Sequence, residues 1–134
     1  MKTYVAAKLH GLTVTSAKVE YSGSATIDGA LLEAAGIDPY QEVQVINLAN
    51  ANRWTTYAIV GGPGEYQLNG GAALLGQVGD RCIVLAYQMT DKFEGARVLF
   101  LGPGNKIENV IDYPPAPLDG AAGPSFHERP GEAT

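Results

Sequence analysis

The chain has 134 residues, which suits a single domain, and 46% of them are hydrophobic, enough to build a buried core. Nine basic residues against fourteen acidic ones leave a net charge of −5, which argues against a nucleic-acid partner because phosphate binding needs a basic surface. No apolar run is long enough to cross a membrane, the N-terminus lacks a secretory signal, and one cysteine cannot form an internal disulfide, so we expect a cytoplasmic protein.

The first half of the chain contains short segments typical of β-strands, most of them alternating between apolar and polar residues. These segments cover residues 2–14, residues 18–21, residues 42–48 and residues 53–60. Asp28 is placed to cap a short helix over Gly29–Ala35, and Gly36 is placed to end it. The turn at residues 50–52 predicts that the last two strands form a hairpin.

The second half begins with a glycine-rich turn at residues 61–64. Asn69-Gly70 is a strong turn signal, and the alanines after it predict one helical turn. Residues 82–86 are almost wholly apolar, which predicts a buried central strand. Two further strands, at residues 96–101 and residues 106–111, flank another turn.

About seven short strands with one or two short helices predict an all-β fold, namely a small closed barrel. We expect this barrel to occupy residues 1–113. Five of the eight prolines lie in residues 114–134, and that segment has few bulky apolar side chains. It therefore predicts a Pro-rich disordered tail.

Several common kinds of site find little support in the sequence. Ser24 lacks the Gly-x-Ser-x-Gly pattern of a hydrolase elbow, and the glycines at residues 61–64 lack the spacing of a phosphate loop. Cys82 lies in an apolar strand, which favours a buried and inert thiol. Two histidines, His10 and His127, are too few for most metal sites, so we expect no metal.

Four motifs that are weak singly occur together in one order. They are Lys8-Leu9-His10, Tyr21-Ser22-Gly23-Ser24, Arg53-x-x-Thr56-Tyr57-Ala58 and Asn69-Gly70-Gly71-Ala72-Ala73, followed by Val78-Gly79-Asp80. In this combination, with a short strand at residues 25–28 and the helix after it, the chain resembles the aspartate 1-decarboxylases over residues 2–90. These are pyruvoyl-dependent enzymes that make β-alanine for pantothenate biosynthesis.

The resemblance implies that the protein is made as a zymogen that cleaves itself between Gly23 and Ser24. Ser24 would attack the Gly23 carbonyl, where a glycine permits strained backbone, and Thr56 would stabilise the oxyanion. Elimination from the resulting ester would cut the chain. Hydrolysis of the dehydroalanine that remains would leave a pyruvoyl group at position 24, which serves as the cofactor.

The resemblance also implies how L-aspartate reacts. Its amine would form a Schiff base with the pyruvoyl group, and Tyr57 would supply a proton after CO₂ leaves, since a phenol holds its proton at neutral pH. Lys8 and Arg53 match positions that bind the substrate carboxylates. The remaining implied substrate and pocket positions are Thr56, Gly70, Gly71, Ala72, His10, Tyr21 and Asn69.

The family's architecture implies a double-psi β-barrel and a homotetramer with sites between neighbouring subunits. Gly71 stands where the family has alanine, and Ala25 stands where a bulkier residue is common. These departures leave open a second hypothesis, a binding barrel that neither cleaves nor catalyses. A third hypothesis is a pyruvoyl decarboxylase of another amino acid, although Lys8 and Arg53 favour an acidic substrate.

Overall fold

A computed structural model describes residues 1–114, in which strands predominate. The predicted tail at residues 114–134 lies outside the described residues except for Pro114. The strands are β1 (Lys2–Thr13), β2 (Ser16–Lys18), β3 (Ser24–Asp28), β4 (Glu42–Asn47), β5 (Arg53–Gly61), β6 (Tyr66–Asn69), β7 (Arg81–Thr90), β8 (Ala96–Leu101) and β9 (Ile107–Tyr113). One α-helix, α1 (Gly29–Ala35), and 3-10 turns at Gly70–Leu74 and Pro103–Asn105 complete the described fold.

The nine strands form one mixed sheet in the order β2-β6-β3-β5-β4-β7-β1-β8-β9. The neighbours β2/β6, β3/β5 and β1/β8 are parallel, and the other pairs are antiparallel. Ile27 and Leu68, from near one end of this order, share a hydrophobic core with Leu9 and Leu99 from near the other end. The sheet therefore curls around this main core, while Val98, Phe100 and Tyr113 belong to a second, smaller cluster at the β8/β9 end. The prediction of a small all-β barrel is confirmed.

The predicted helix is confirmed at both ends. Asp28 caps α1, because its carboxylate accepts a hydrogen bond from the Ala30 N–H at 2.9 Å. Gly36 ends the helix in the left-handed region with a φ of 77°. Leu31 and Leu32 are buried in the hydrophobic core, so this helix packs against the barrel.

Two strands differ from the sequence prediction. The strand expected at residues 18–21 lies earlier, at β2, where it pairs with β6, and the chain then turns, leaving Val19 and Tyr21 exposed. The strand β6 was not predicted. All four of its residues are buried, including Gln67 and Asn69, so the apolar–polar alternation of Tyr66-Gln67-Leu68-Asn69 does not correspond to one buried and one exposed face.

Asn105 connects three parts of the barrel. Its Oδ1 accepts from the Thr13 N–H at 2.7 Å, and its Nδ2 donates to the carbonyls of Thr13 at 3.0 Å and Gly64 at 2.9 Å. The residue is buried and has a φ of 56°, a conformation that asparagine tolerates better than most side chains.

We expect Asn105→Ala to lower the free energy of unfolding by about 2–4 kcal/mol, because buried groups of Thr13 and Gly64 lose their partner. Urea unfolding measures the change. Asn105→Gly is the matched control, since glycine adopts the same φ freely and isolates the lost hydrogen bonds from backbone strain. Equal stability of Asn105→Gly and the parent protein would contradict the structural role of the side chain.

Candidate functional site

Ser24 lies at the start of β3, and its side chain is held in place. The residue is only 3% exposed, and its backbone pairs with that of Asn69 on β6. Asn69 Nδ2 donates to Ser24 Oγ at 2.8 Å, and the Ser24 hydroxyl donates to the Ser22 carbonyl at 3.4 Å. The hydroxyl is thus directed back along the chain toward the Ser22–Gly23 peptide group, which is adjacent to the Gly23–Ser24 bond.

The loop after β6 lies directly against the residues that precede Ser24. Gly70 has a φ of +66°, and a Cβ on it would lie 2.8 Å from Gly23 Cα and 3.0 Å from the Tyr21 carbonyl oxygen. Glycine is therefore required at position 70. Gly23 itself is not in the positive-φ region, and a Cβ there would have no atom within 4 Å. The strained backbone expected at Gly23 is therefore not observed, and the position that needs glycine is Gly70.

Gly71 and Ala72 continue this loop in the 3-10 turn. A Cβ on Gly71 would also meet no atom within 4 Å, so an alanine there would fit without displacing any neighbour. Ala72 is half-buried and packs against the core. The departure at Gly71 therefore leaves the packing of the loop unchanged.

The strand register places Lys8 of β1 on the same face of the sheet as Thr55 of β5. Lys8 and Gln44 both pair with Leu85, and Gln44 pairs with Thr55. Directly paired residues project from one face of a sheet. Leu9 projects from the other face and is fully buried in the core. Lys8 and Thr55 thus lie on the outer face of the barrel.

Arg53 and Tyr57 flank Thr55 along β5 and share this outer face by the alternation of a strand. Gln44 Oε1 accepts from Arg53 Nη1 at 3.5 Å and from the Tyr87 hydroxyl at 3.1 Å. Gln44, Thr55 and Tyr87 line a pocket of about 280 Å³. The sequence motifs missed Gln44 and Tyr87, although the alternation of residues 42–48 does put Gln44 on a polar face.

The predicted cleavage residue Ser24 and the predicted proton donor Tyr57 lie on the neighbouring strands β3 and β5. Ser24 and Tyr57 each precede a member of the parallel pair Ala25–Ala58, so they lie at neighbouring positions at one end of it. Thr56 projects from the opposite face to Tyr57 and is half-buried, next to β4.

His10 is on β1, two residues from Lys8, and its ring contacts that of Phe100 with centroids 5.3 Å apart. Tyr21 is 53% exposed at the turn before Gly23, with Lys18 Nζ 5.3 Å from its ring centroid.

Cys82 is fully buried, which confirms the prediction for its thiol. Burial raises the pKa of Cys82, a shift opposed by Tyr66 and increased by Asp80. Burial also raises the pKa of the neighbouring Tyr66 phenol well above its usual range. Both groups are therefore protonated at neutral pH and unsuited to nucleophilic chemistry. Within residues 1–114, no three His, Cys, Asp or Glu side chains form a group that could hold a metal.

Comparison with known proteins gives consistent matches. The family model described as aspartate decarboxylase matches residues 1–108, further than the motifs alone reach. An aspartate 1-decarboxylase of Crocosphaera subtropica is 43% identical over 129 residues, covering 90% of this chain and 85% of the relative. The enzyme of that name from Pyrobaculum islandicum is 43% identical over 111 residues, covering 82% and 92%. One from Synechocystis is 50% identical over 90 residues, covering 66% and 62%.

The fold and these matches define a small all-β enzyme of the carboxy-lyase class. The chain belongs to the aspartate decarboxylase family. Among the described residues, no helix is both long and apolar enough to span a membrane.

Proposed function

We propose that this protein decarboxylates L-aspartate to β-alanine and CO₂ by means of a pyruvoyl group made from Ser24. Its family and relatives support the reaction and do not favour a non-catalytic binding barrel. The observation that carries the cofactor proposal is the buried Ser24 hydroxyl, which accepts a hydrogen bond from Asn69 and lies next to the Gly23–Ser24 peptide bond. We also propose a cytoplasmic location, because the proposed substrate is a free amino acid of metabolism.

The surroundings of Ser24 fit a pyruvoyl group. That group has nearly the size of the serine it replaces, so the space at the start of β3 accommodates it. Asn69 Nδ2 offers an N–H at 2.8 Å from Ser24 Oγ, a donor suited to a carbonyl oxygen. The close contact of Gly70 with Gly23 also brings the backbone of the Gly70–Ala72 loop next to the start of β3.

The maturation that we propose begins when Ser24 Oγ attacks the Gly23 carbonyl carbon. The amide C–N bond breaks, an ester forms, and the nitrogen of residue 24 becomes an amine. Thr56 is the proposed donor to the oxyanion of this step. Loss of the α-proton of residue 24 then expels Gly23 as a carboxylate, and water replaces the nitrogen, which leaves as ammonia.

In turnover, the ketone supplies a sink for the electron pair released when CO₂ leaves. Arg53 and Lys8 bind the two carboxylates of aspartate, and Arg53 suits bidentate contact. The strand register puts both cations on one outer face of a chain whose net charge is −5, and Glu42, which pairs with Tyr57, shares that face. Tyr57 donates the proton to the former α-carbon, and the small residues of the Gly70–Ala72 loop allow the substrate to approach the backbone.

We propose a homotetramer whose sites lie between neighbouring subunits. Arg53 and Tyr57 lie on an exposed face of the single chain, with Tyr57 38% exposed. A second subunit covering this face would exclude water from the reaction and strengthen the carboxylate contacts. Light scattering on the purified protein checks the assembly, and a monomer with full activity would contradict it.

We expect the purified protein to consist of two fragments, residues 1–23 and residues 24–134. A denaturing gel shows both, and mass spectrometry should find a pyruvoyl group in place of an α-amine on the larger fragment. Release of β-alanine from L-aspartate should accompany cleavage. A chain that stays whole and inactive after prolonged warming would contradict the proposed function and would support the alternative of a non-catalytic binding barrel.

A further inference from the structure

A buried hydrogen-bond network surrounds Asn69, and two of its members lie outside the motifs. Gln67 Nε2 donates to Asn69 Oδ1. Asn69 Nδ2 in turn donates to Ser24 Oγ at 2.8 Å and to Thr26 Oγ1 at 2.9 Å. The exposed fractions of these four residues are between 0% and 7%, so water does not compete for the bonds.

The network determines which way the Asn69 amide points. An amide carries two N–H donors on one side and an oxygen acceptor on the other, and a half-turn exchanges them. The Gln67 N–H holds the oxygen of Asn69 on the side away from Ser24. Thr26 accepts the second N–H of Asn69, so both donors are used and the amide is fixed.

A directed N–H matters most when Ser24 Oγ gains negative charge. In the proposed maturation, the Cβ–Oγ bond of residue 24 breaks during elimination from the ester, and the electron pair stays on that oxygen. The oxygen leaves as part of the Gly23 carboxylate, while the α-proton passes to water. Hydrogen bonds to an ionised acceptor are about twice as strong as those to a neutral one. A donor aimed at Oγ therefore favours this step.

We propose that Gln67, with Thr26, is a positioning residue for self-cleavage. It fixes the Asn69 amide so that an N–H remains aimed at the oxygen that leaves with Gly23. The inference rests on the proposed function, because it concerns the maturation of the same serine. This proposal gives a chemical role to β6, whose two polar residues are buried. Burying polar side chains costs free energy unless they are hydrogen-bonded, so their presence here calls for a function.

Gln67→Glu tests the proposal with almost no change in volume. Cleavage is followed at alkaline pH, where the new carboxyl group is ionised and only accepts, so the Asn69 amide turns its N–H toward it and presents oxygen to Ser24. We expect the rate of cleavage to fall about 10²-fold, near the low end for losing one oxyanion donor. Because elimination suffers most, the uncleaved ester should accumulate, and hydroxylamine should cut it between residues 23 and 24. Gln77→Glu makes the same change at an exposed position as the control.

Thr26→Val and Thr26→Ser form a second, independent pair in case Gln67→Glu does not fold. Valine leaves one Asn69 N–H without its acceptor, so cleavage should slow and ester should accumulate, whereas serine restores the acceptor and the rate. Cleavage at the parent rate in folded Gln67→Glu, or in Thr26→Val when the former is unfolded, would overturn the inference. Slower cleavage without trapped ester would also overturn it. Failure of the parent protein itself to cleave would instead reject the proposed function.

Discussion

Ser24→Ala is expected to abolish both self-cleavage and the release of CO₂ from aspartate. The change removes the oxygen that attacks the Gly23 carbonyl in the proposed maturation, and no pyruvoyl group can form without it. The barrel should remain folded, because alanine fits the space of a small buried side chain. The cost is that Asn69 loses one of its acceptors.

Three measurements on Ser24→Ala test this expectation: a denaturing gel, the intact mass and a β-alanine assay. Ser22→Ala is the matched control, since Ser22 is exposed and contributes only its backbone carbonyl to the Ser24 hydroxyl. The control should cleave and turn over like the parent. Appreciable CO₂ release from whole Ser24→Ala protein would show that the catalyst is not a pyruvoyl group.

Tyr57→Phe should separate maturation from turnover. Phenylalanine keeps the ring on the outer face of β5 and removes only the hydroxyl. Cleavage at Gly23–Ser24 should proceed, because it is assigned to Ser24, Thr56 and the network around Asn69. Formation of β-alanine should fall about 10²–10⁴-fold, the usual effect of losing a positioned general acid.

The fragments on a denaturing gel and the rate of β-alanine formation give the two readouts for Tyr57→Phe. Mass spectrometry of the large fragment after turnover also reports whether the pyruvoyl group has become an amine, as expected if the proton reaches the wrong carbon. Tyr40→Phe, at a side chain that is 77% exposed, is the control. Near-normal β-alanine output from cleaved Tyr57→Phe would remove this tyrosine from the mechanism.

Local chemistry in the sequence was enough to predict several elements. The capping carboxylate of Asp28 and the free backbone of Gly36 define α1 without reference to the rest of the fold. The β4/β5 hairpin follows from two alternating segments around a short turn, and the apolar residues 82–86 predict the buried part of β7. Each of these signals lies within a few residues of the element that it defines.

The motifs around Ser24 and Tyr57 also identified the family from sequence, since four segments in one order are specific together. That identification is confirmed by the match to residues 1–108. The roles of the individual residues remain predictions, because they depend on chemistry that family membership alone does not measure. The tail and the domain boundary at residue 113 also remain predictions.

Only the tertiary structure decided which distant segments meet. The strand β6 is buried on both faces, and its pairing with β3 brings Asn69 to Ser24 and Gln67 to Thr26, while the loop after it requires glycine at position 70. The shared face of Lys8 and Arg53 likewise depends on the register across four strands. The amino-acid sequence by itself determined the helix, the hairpin and the family, because their signals are local or lie in the identity of the residues. Strand pairing across the barrel depends on side-chain burial summed over the whole sheet, which local patterns do not contain.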